Sequence, residues 1–281
     1  MSIILYCFVL LFLILFPSDT AAYATQAMQI WARNLIPFLF PYMVFSRLLF
    51  QRFHTLNFPT VPFTAFLGIL GGSPSGSMLI AASASQLSQR NLYTLSMLCS
   101  SVSPMFILGT LQALTENSNF CRLLLVSHWF SCAFCACAVW ILFRNTQEEN
   151  PHSISKKNHL SLANPIPQSI DAIMQVGGCI ICCSVLAGIL TKILQANMIA
   201  PVLHSVLEIS GGAHAIWQSS FSLKEKAVLL SAALGFNGVS ILVQNHTFLK
   251  PLGISIRVFL LFAVFRALCS AAYMALLLPF I

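Results

Sequence analysis

Charge is what this sequence has least of. Only 7% of its 281 residues are Asp, Glu, Lys or Arg, while 58% are hydrophobic. Soluble domains carry about 25% charged residues. A soluble chain of this composition would lack the polar surface needed to cover its core. That shortage excludes a soluble globular domain and predicts an all-α, multi-pass bundle of helices in the cell membrane, with the lipid bilayer as its first partner.

Acidic residues are the scarcest charges, seven against 14 Lys and Arg. They are scattered, and only Asp171 and Glu208 fall near apolar runs, so the carboxylate pairs of acid–base catalysis are missing. His128, His204, His214 and His246 lie in or near apolar runs, with no two at metal-ligand spacing in one segment. They read as packing or interfacial residues. Gly72-Ser73-Pro74-Ser75-Gly76 superficially spells a nucleophile elbow, but such an elbow needs a strand before it. The expectation is a protein that is not an enzyme and needs no cofactor. The cations stand singly between apolar runs, as positive-inside anchors do. A nucleic-acid binder would gather them into a patch. Most of the 10 cysteines lie inside apolar runs. Cys132-x-x-Cys135-x-Cys137 has nearly metal-like spacing, but no partner Cys pair or His stands at zinc-site distance, so helix packing is the expected role.

What the sequence does have is a series of apolar runs, several broken in the middle. Ile3 to Phe16 is apolar and uncharged. Ala22-Tyr23-Ala24 resembles a cleavage site, but without a positive n-region the run reads as a short first span or re-entrant anchor. Ala21 to Trp31 reads as a small interfacial amphipathic stretch, and Leu35 to Phe50 as the next run. Phe58 to Ala84 is interrupted by Gly68-Ile-Leu-Gly71-Gly72-Ser73-Pro74-Ser75-Gly76, and Leu92 to Leu114 by Ser100-Ser101-Val102-Ser103-Pro104. Leu123 to Phe143 is unbroken. After the polar segment Arg144 to Pro167 come Ile170 to Leu190, Met198 to Ile216 with Gly211-Gly212, and Ala227 to Leu249 with Gly235-Phe236-Asn237-Gly238 and then Gln244. The last run, Ile254 to Phe280, holds Arg266, a costly placement unless the side chain is paired or reaches water. A helix broken in hydrocarbon survives only inside protein or against a water-filled cavity. The breaks are therefore candidates for a working site.

The two halves also match. Arg122 aligns with Arg257 at a shift of 135 residues, and Leu87 to Arg90 aligns with Phe221 to Lys224 at a shift of 134. On that register Ser103 corresponds to Asn237 and Pro104 to Gly238, while Gly71-Gly72 corresponds to Gly211-Gly212 after a small gap. The expected organisation is an N-terminal apolar and interfacial segment over 1–30, a first repeat over 31–143, a polar linker over 144–167 and a second repeat over 168–281. If the Gly-rich segments are re-entrant, Arg47, Arg52, Arg90, Arg144, Lys156, Lys157, Lys250 and Arg257 share one side of the membrane. That distribution favours inverted repeats with a cytoplasmic linker.

Four stretches carry a family resemblance: WARNLIPFLFPYMVFSRLL at Trp31 to Leu49, GGSPSGS at Gly71 to Ser77, CSSVSPMFILG at Cys99 to Gly109 and GFNGVSILVQ at Gly235 to Gln244. With them the chain resembles the sporulation integral membrane protein YlbJ family, which is itself similar to the "nucleoside recognition" or Gate domain proteins. The family usually has an Asn-Asn pair and a Gly before the proline of the fourth run. Here Ser100, Ser101 and Ser103 stand there. The resemblance implies a role in endospore formation without supplying a substrate.

The function expected is binding or movement of a small polar solute or ion, with a non-transporting membrane scaffold for endospore formation as the alternative. The candidate binding residues are Gly71, Gly72, Ser73, Pro74, Ser75, Gly76, Ser100, Ser101, Ser103, Pro104, Gly211, Gly212, Asn237, Gly238 and Gln244. Hydroxyls and amides would contact the solute, and exposed helix N-termini would favour an anionic group.

Overall fold

The structure is a computed structural model, and it describes residues 3–56, 58–144, 164–194 and 199–280. Most of the polar segment expected over 144–167, with its His152 and His159, lies outside the described residues. All elements among the described residues are helical.

The chain enters through α1 (Ile3–Leu15) and α2 (Pro17–Ile30), which is joined to α3 (Ile36–Thr55) by a π-helical turn, Trp31–Leu35. The turn has a local cause. Pro37 brings no backbone N–H, and its ring would crowd the Arg33 carbonyl one turn back, so the helix widens there. The stretch expected to lie in the interface is thus the first part of one helical path, Pro17–Phe53, bent by 103° from the segment before it. This path runs antiparallel to α9 (Pro165–Leu194). Asp19 pairs with Lys192, the Tyr23 ring lies where Gly188 leaves room, Trp31 Nε1 donates to the Ile173 carbonyl at 3.1 Å, and Arg47 bonds Gln168.

Next come α4 (Thr60–Gly71) and α5 (Ser75–Ser83), folded back on each other as a helical hairpin. Thr60 bonds Gln86 at its base, and the Thr64 and Ser83 hydroxyls meet at 3.0 Å midway. Twelve residues of helix rise about 18 Å, roughly half of a bilayer's hydrocarbon thickness. α6 (Gln89–Cys99), capped by Ser88, leads through the break at Ser100–Ser103 into a π-helical segment, Phe106–Leu111, and α7 (Gln112–Thr115). This whole broken path lies antiparallel to α8 (Ser118–Leu142). Arg90 stacks on and bonds Trp140 at one end, and Thr115 meets Cys121 at the other.

The second half follows the same order. α9 is a single long helix. α10 (Ala200–Leu207) and α11 (Ile209–Gln218) form a second hairpin, in which Gly212 lies directly against the backbone of Ser205. α12 (Leu223–Phe236) starts at a capping box of Ser222 and Glu225 and passes through a break at Asn237 into α13 (Gly238–Leu249). α14 (Ile256–Leu277) closes the chain. It is antiparallel to α8, with Cys135 opposite Phe262, Ser127 linked through Ser231 to Ser270, and Phe134 stacked with Phe265.

Four helical segments are long and apolar enough to cross a membrane, Ser118–Leu142, Pro165–Leu194, Leu223–Leu252 and Ile256–Phe280. The bent pair Val9–Leu15 and Pro17–Phe53 makes a fifth. Their outward faces carry exposed apolar side chains such as Phe130, Ile141, Met174, Leu261 and Leu268, as a lipid-facing surface requires. The chain is a multi-pass membrane protein.

Candidate functional site

The four interruptions in the helices meet. The tip of the first hairpin, Gly72-Ser73-Pro74, sits on the break in the α6 path. Ser73 N–H donates to the Ser101 carbonyl at 2.7 Å. Gly72 has φ +59°, and a Cβ there would lie 2.6 Å from both Ser101 O and Ser103 N, so the left-handed turn and the close approach both demand glycine. The tip of the second hairpin lies beside the α12–α13 break: Gly238, at φ +74°, faces Ile209 N and Glu208 Cα.

Between the halves, Asn237 forms a two-sided clamp on the first break. Its Nδ2 donates to Ser100 O at 3.1 Å and its Oδ1 accepts from Val102 N–H at 3.3 Å. Asn itself sits at φ +76°, a conformation its short amide tolerates better than most side chains. Asn245, one helical turn beyond Gln244's neighbour Ile241 on α13, adds a second amide. Its Nδ2 donates to the same Ser100 carbonyl at 3.0 Å, and its Oδ1 accepts from Ser73 Oγ and Ser77 Oγ, both at 2.8 Å. His128 Nε2–H donates to Val102 O at 3.2 Å, which fixes its tautomer. Ser103 O receives the Phe106 and Ile107 amides. Backbone groups freed by the break are thus met by side chains from α8 and α13 and by the first hairpin, as a dry bilayer interior requires.

Arg266 serves the same purpose one layer away. It is 1% exposed; Nε donates to Gly235 O at 2.7 Å and Nη1 to Met97 O at 3.1 Å. Both carbonyls belong to the last turns of half-helices that stop at a break, α12 and α6. A guanidinium there meets two orphan acceptors and two negative helix ends. The expensive position noted in the sequence is a structural pin.

A cavity of about 40 Å³ opens beside this junction. Ser73, Ser103 and Gln244 line it, together with Asn34, Thr110, Glu208 and Ser210; Phe38, Val176, Ile180 and Ile241 supply apolar wall. Glu208 is 2% exposed, and its carboxylate caps α11 by accepting from Ser210 N at 2.8 Å and Gly211 N at 2.6 Å. Gln244, also 2% exposed, leaves Nε2 without a partner, and Thr110 Oγ1 is likewise buried and unpartnered. A second cavity of about 260 Å³ lies further along the same groove between α2 and α9, lined by Tyr23, Gln26, Ser184, His204 and His214. Gly211 borders that cavity and Ser210 the first, so the tip of the second hairpin divides them.

The remaining sequence candidates have other positions. Gly71 abuts the Tyr42 ring, and Gly76 packs so closely on Cys99 that any Cβ would strike its carbonyl. Ser75 Oγ lies 3.5 Å from Ser46 Oγ, and Ser100 Oγ meets Ser77 Oγ at 2.6 Å. Ser101 Oγ turns back to Leu98 O at 3.5 Å. Pro74 caps α5, Pro104 opens the helix after the first break, and Gly211 and Gly212 start the descending arm of the second hairpin. In the Cys132, Cys135 and Cys137 cluster, the first two are buried and the third is exposed. Sequence reasoning missed Asn245, Ser77, Asn34 and Thr110. Asn245 stands directly after Gln244 and was legible as a second intramembrane amide.

Glu208 alters the expected electrostatics. The N-terminus of α11 holds the protein's own carboxylate, so this helix end offers no free anion site.

No protein-family model matches the chain, and no solved structure matches it. The chain is similar to a sporulation integral membrane protein, YlbJ, of Bacillus subtilis (strain 168), at 22% identity over an alignment that takes in 93% of this chain and 78% of that protein.

Proposed function

We propose that this chain is a transporter-like membrane protein of endospore formation that binds a small polar solute or ion at the junction of two inverted repeats. The observation that carries the reading is the meeting of four helix interruptions beside one cavity whose wall includes Ser73, Ser103, Glu208 and Gln244. Paired broken segments at matching positions in two halves are the pattern of secondary transporters, with the site at the repeat interface.

Several features support the repeats. Each half runs through a long helix, a helical hairpin, a broken path and a long helix. Ser88 and Ser222, 134 residues apart, cap the two broken paths. The long opening helices of the halves are antiparallel, as are the closing helices α8 and α14. With both hairpins re-entrant, each half crosses three times, and an odd number inverts the second half. The second cavity supports a route: it continues the groove between α2 and α9 past the tip of the second hairpin. The role in endospore formation rests on the similarity to the Bacillus protein.

The saturated amide network around Ser100 favours the second reading, a non-transporting scaffold, for those residues. The two readings part on the cavity. Purified protein is screened for thermal stabilisation by nucleosides, anions and small metabolites, and Ser73→Ala and Ser103→Ala are compared with wild type. A ligand that stabilises wild type and binds both variants more weakly is expected; equal binding by both sinks the solute site. In cells, the chain should restore heat-resistant spores to a Bacillus subtilis strain lacking YlbJ. A scaffold would retain that rescue in both serine variants and lose it when Gly76 or Gly212 is made bulky.

A further inference from the structure

We propose that the junction cavity is a binding site for a hard monovalent cation of the sodium or potassium class, with Glu208 as its charged ligand. The inference rests on the cavity reading above and adds the identity of one occupant.

Charge comes first. Among the described residues, Glu208 is the one ionisable residue on the cavity wall, and no Lys, Arg or His lines it. Each carboxylate oxygen accepts one amide, from Ser210 and Gly211, and a carboxylate has about four lone-pair sites. Acceptor capacity is therefore left over. The N-terminus of α11 contributes roughly half a positive charge, which does not cancel the full negative charge of an ionised carboxylate. A site with this balance attracts a cation.

Ligand type comes second. The polar groups on the wall are a carboxylate, the hydroxyls of Ser73, Ser103, Thr110 and Ser210, and the Asn34 and Gln244 amides. Oxygen donors without thiol or imidazole suit hard cations. Sites for divalent ions gather several carboxylates; a single carboxylate matches a single positive charge.

Incompleteness comes third. Gln244 and Thr110 are lining residues, and each has a buried polar atom, Gln244 Nε2 and Thr110 Oγ1, without a protein partner. Buried polar groups are normally satisfied, and each exception calls for an occupant. Rotation of the Gln244 amide exchanges its two ends, so it can offer Oε1 to a cation or Nε2 to a bound water. Ser73 Oγ spends its proton on Asn245 Oδ1, which leaves its lone pairs as acceptors. The volume of about 40 Å³ holds one ion with about two waters, at about 10–15 Å³ each.

The test uses the full chain, purified and reconstituted in lipid nanodiscs without added solute. Thermal unfolding is followed while choline chloride is replaced by sodium or potassium chloride at constant ionic strength. A saturable rise of the midpoint by roughly 5 °C with one of the two ions is expected near saturation. Glu208→Gln should abolish the rise, and Gln244→Leu should shift its midpoint to about tenfold higher salt, one lost ligand being worth about 1.4 kcal/mol. Should Glu208→Gln fail to fold, Gln244→Leu and Thr110→Val carry the test. A rise equal in choline, the absence of a rise in either salt, or a wild-type response in the folded variants overturns the proposal. Failure here with solute stabilisation intact removes only the cation; loss of both removes the solute reading as well.

Discussion

The two hairpin tips do different work. The first, Gly72-Ser73-Pro74, is built from small residues and is locked. Its backbone bonds Ser101, its side chain bonds Asn245, and its glycines allow contact with the facing break that any Cβ would prevent. The second tip carries Glu208, a charged side chain that caps its own helix and faces a cavity. The first tip spends its polar groups on the facing break, while the cavity beside both tips keeps Gln244 Nε2 and Thr110 Oγ1 unpartnered. An interrupted helix in a membrane protein is therefore not by itself a binding site. What matters is whether its freed polar groups are already spent.

The comparison can be broken most severely at the glycines. Gly76→Leu should prevent the first hairpin from seating on Cys99 and cost at least about 3 kcal/mol, read as loss of folded protein in size-exclusion chromatography. Gly211→Ala, at the second tip, meets Glu208 Oε2 at 3.3 Å and Ser184 Oγ at 4.0 Å, and should leave a folded protein. If both changes were equally disruptive, the contrast between tips would fail. The pin at Arg266 is next. Arg266→Met leaves the Gly235 and Met97 carbonyls unpaired, for an expected loss of about 2–4 kcal/mol in denaturant unfolding, and Arg266→Lys should recover part of it. Asn245→Ala strips partners from Ser73, Ser77 and Ser100 and should cost about 2–3 kcal/mol. Gln244→Leu has the smallest expected effect. Its amide Nε2 has no partner to lose, so unfolding should change by less than about 1 kcal/mol. A large loss would mean that Gln244 belongs to the lock.

Adjacent residues thus have opposite fates. Gln244 and Asn245 are both buried amides on α13, and the sequence pointed only to the first. Successive helix positions are about 100° apart, so one faces the cavity and the other the first hairpin. Breaks were legible because Gly, Pro and Ser in an apolar run have a local cost that any reader of the chain can see. Glu208 was visible as an acidic residue beside an apolar run, but its role as a cap depends on the turn geometry between α10 and α11. The continuity of α2 with α3 was hidden by the amphipathic pattern of Ala21 to Trp31. That pattern reports a packed face, here set against Gly177 and Gly188 of α9, as readily as an interfacial one.

The sequence alone determined the class of this protein: its low charge requires a bilayer, and its interrupted apolar runs require protected breaks. Only the tertiary structure decided which of the freed polar groups are sealed and which border a cavity. The sealing partners come from far along the chain, Asn245 to Ser73 across 172 residues and Arg266 to Met97 across 169. A polar group in hydrocarbon is stabilised by whatever lies within about 3 Å of it. No local pattern in the chain records what that neighbour is.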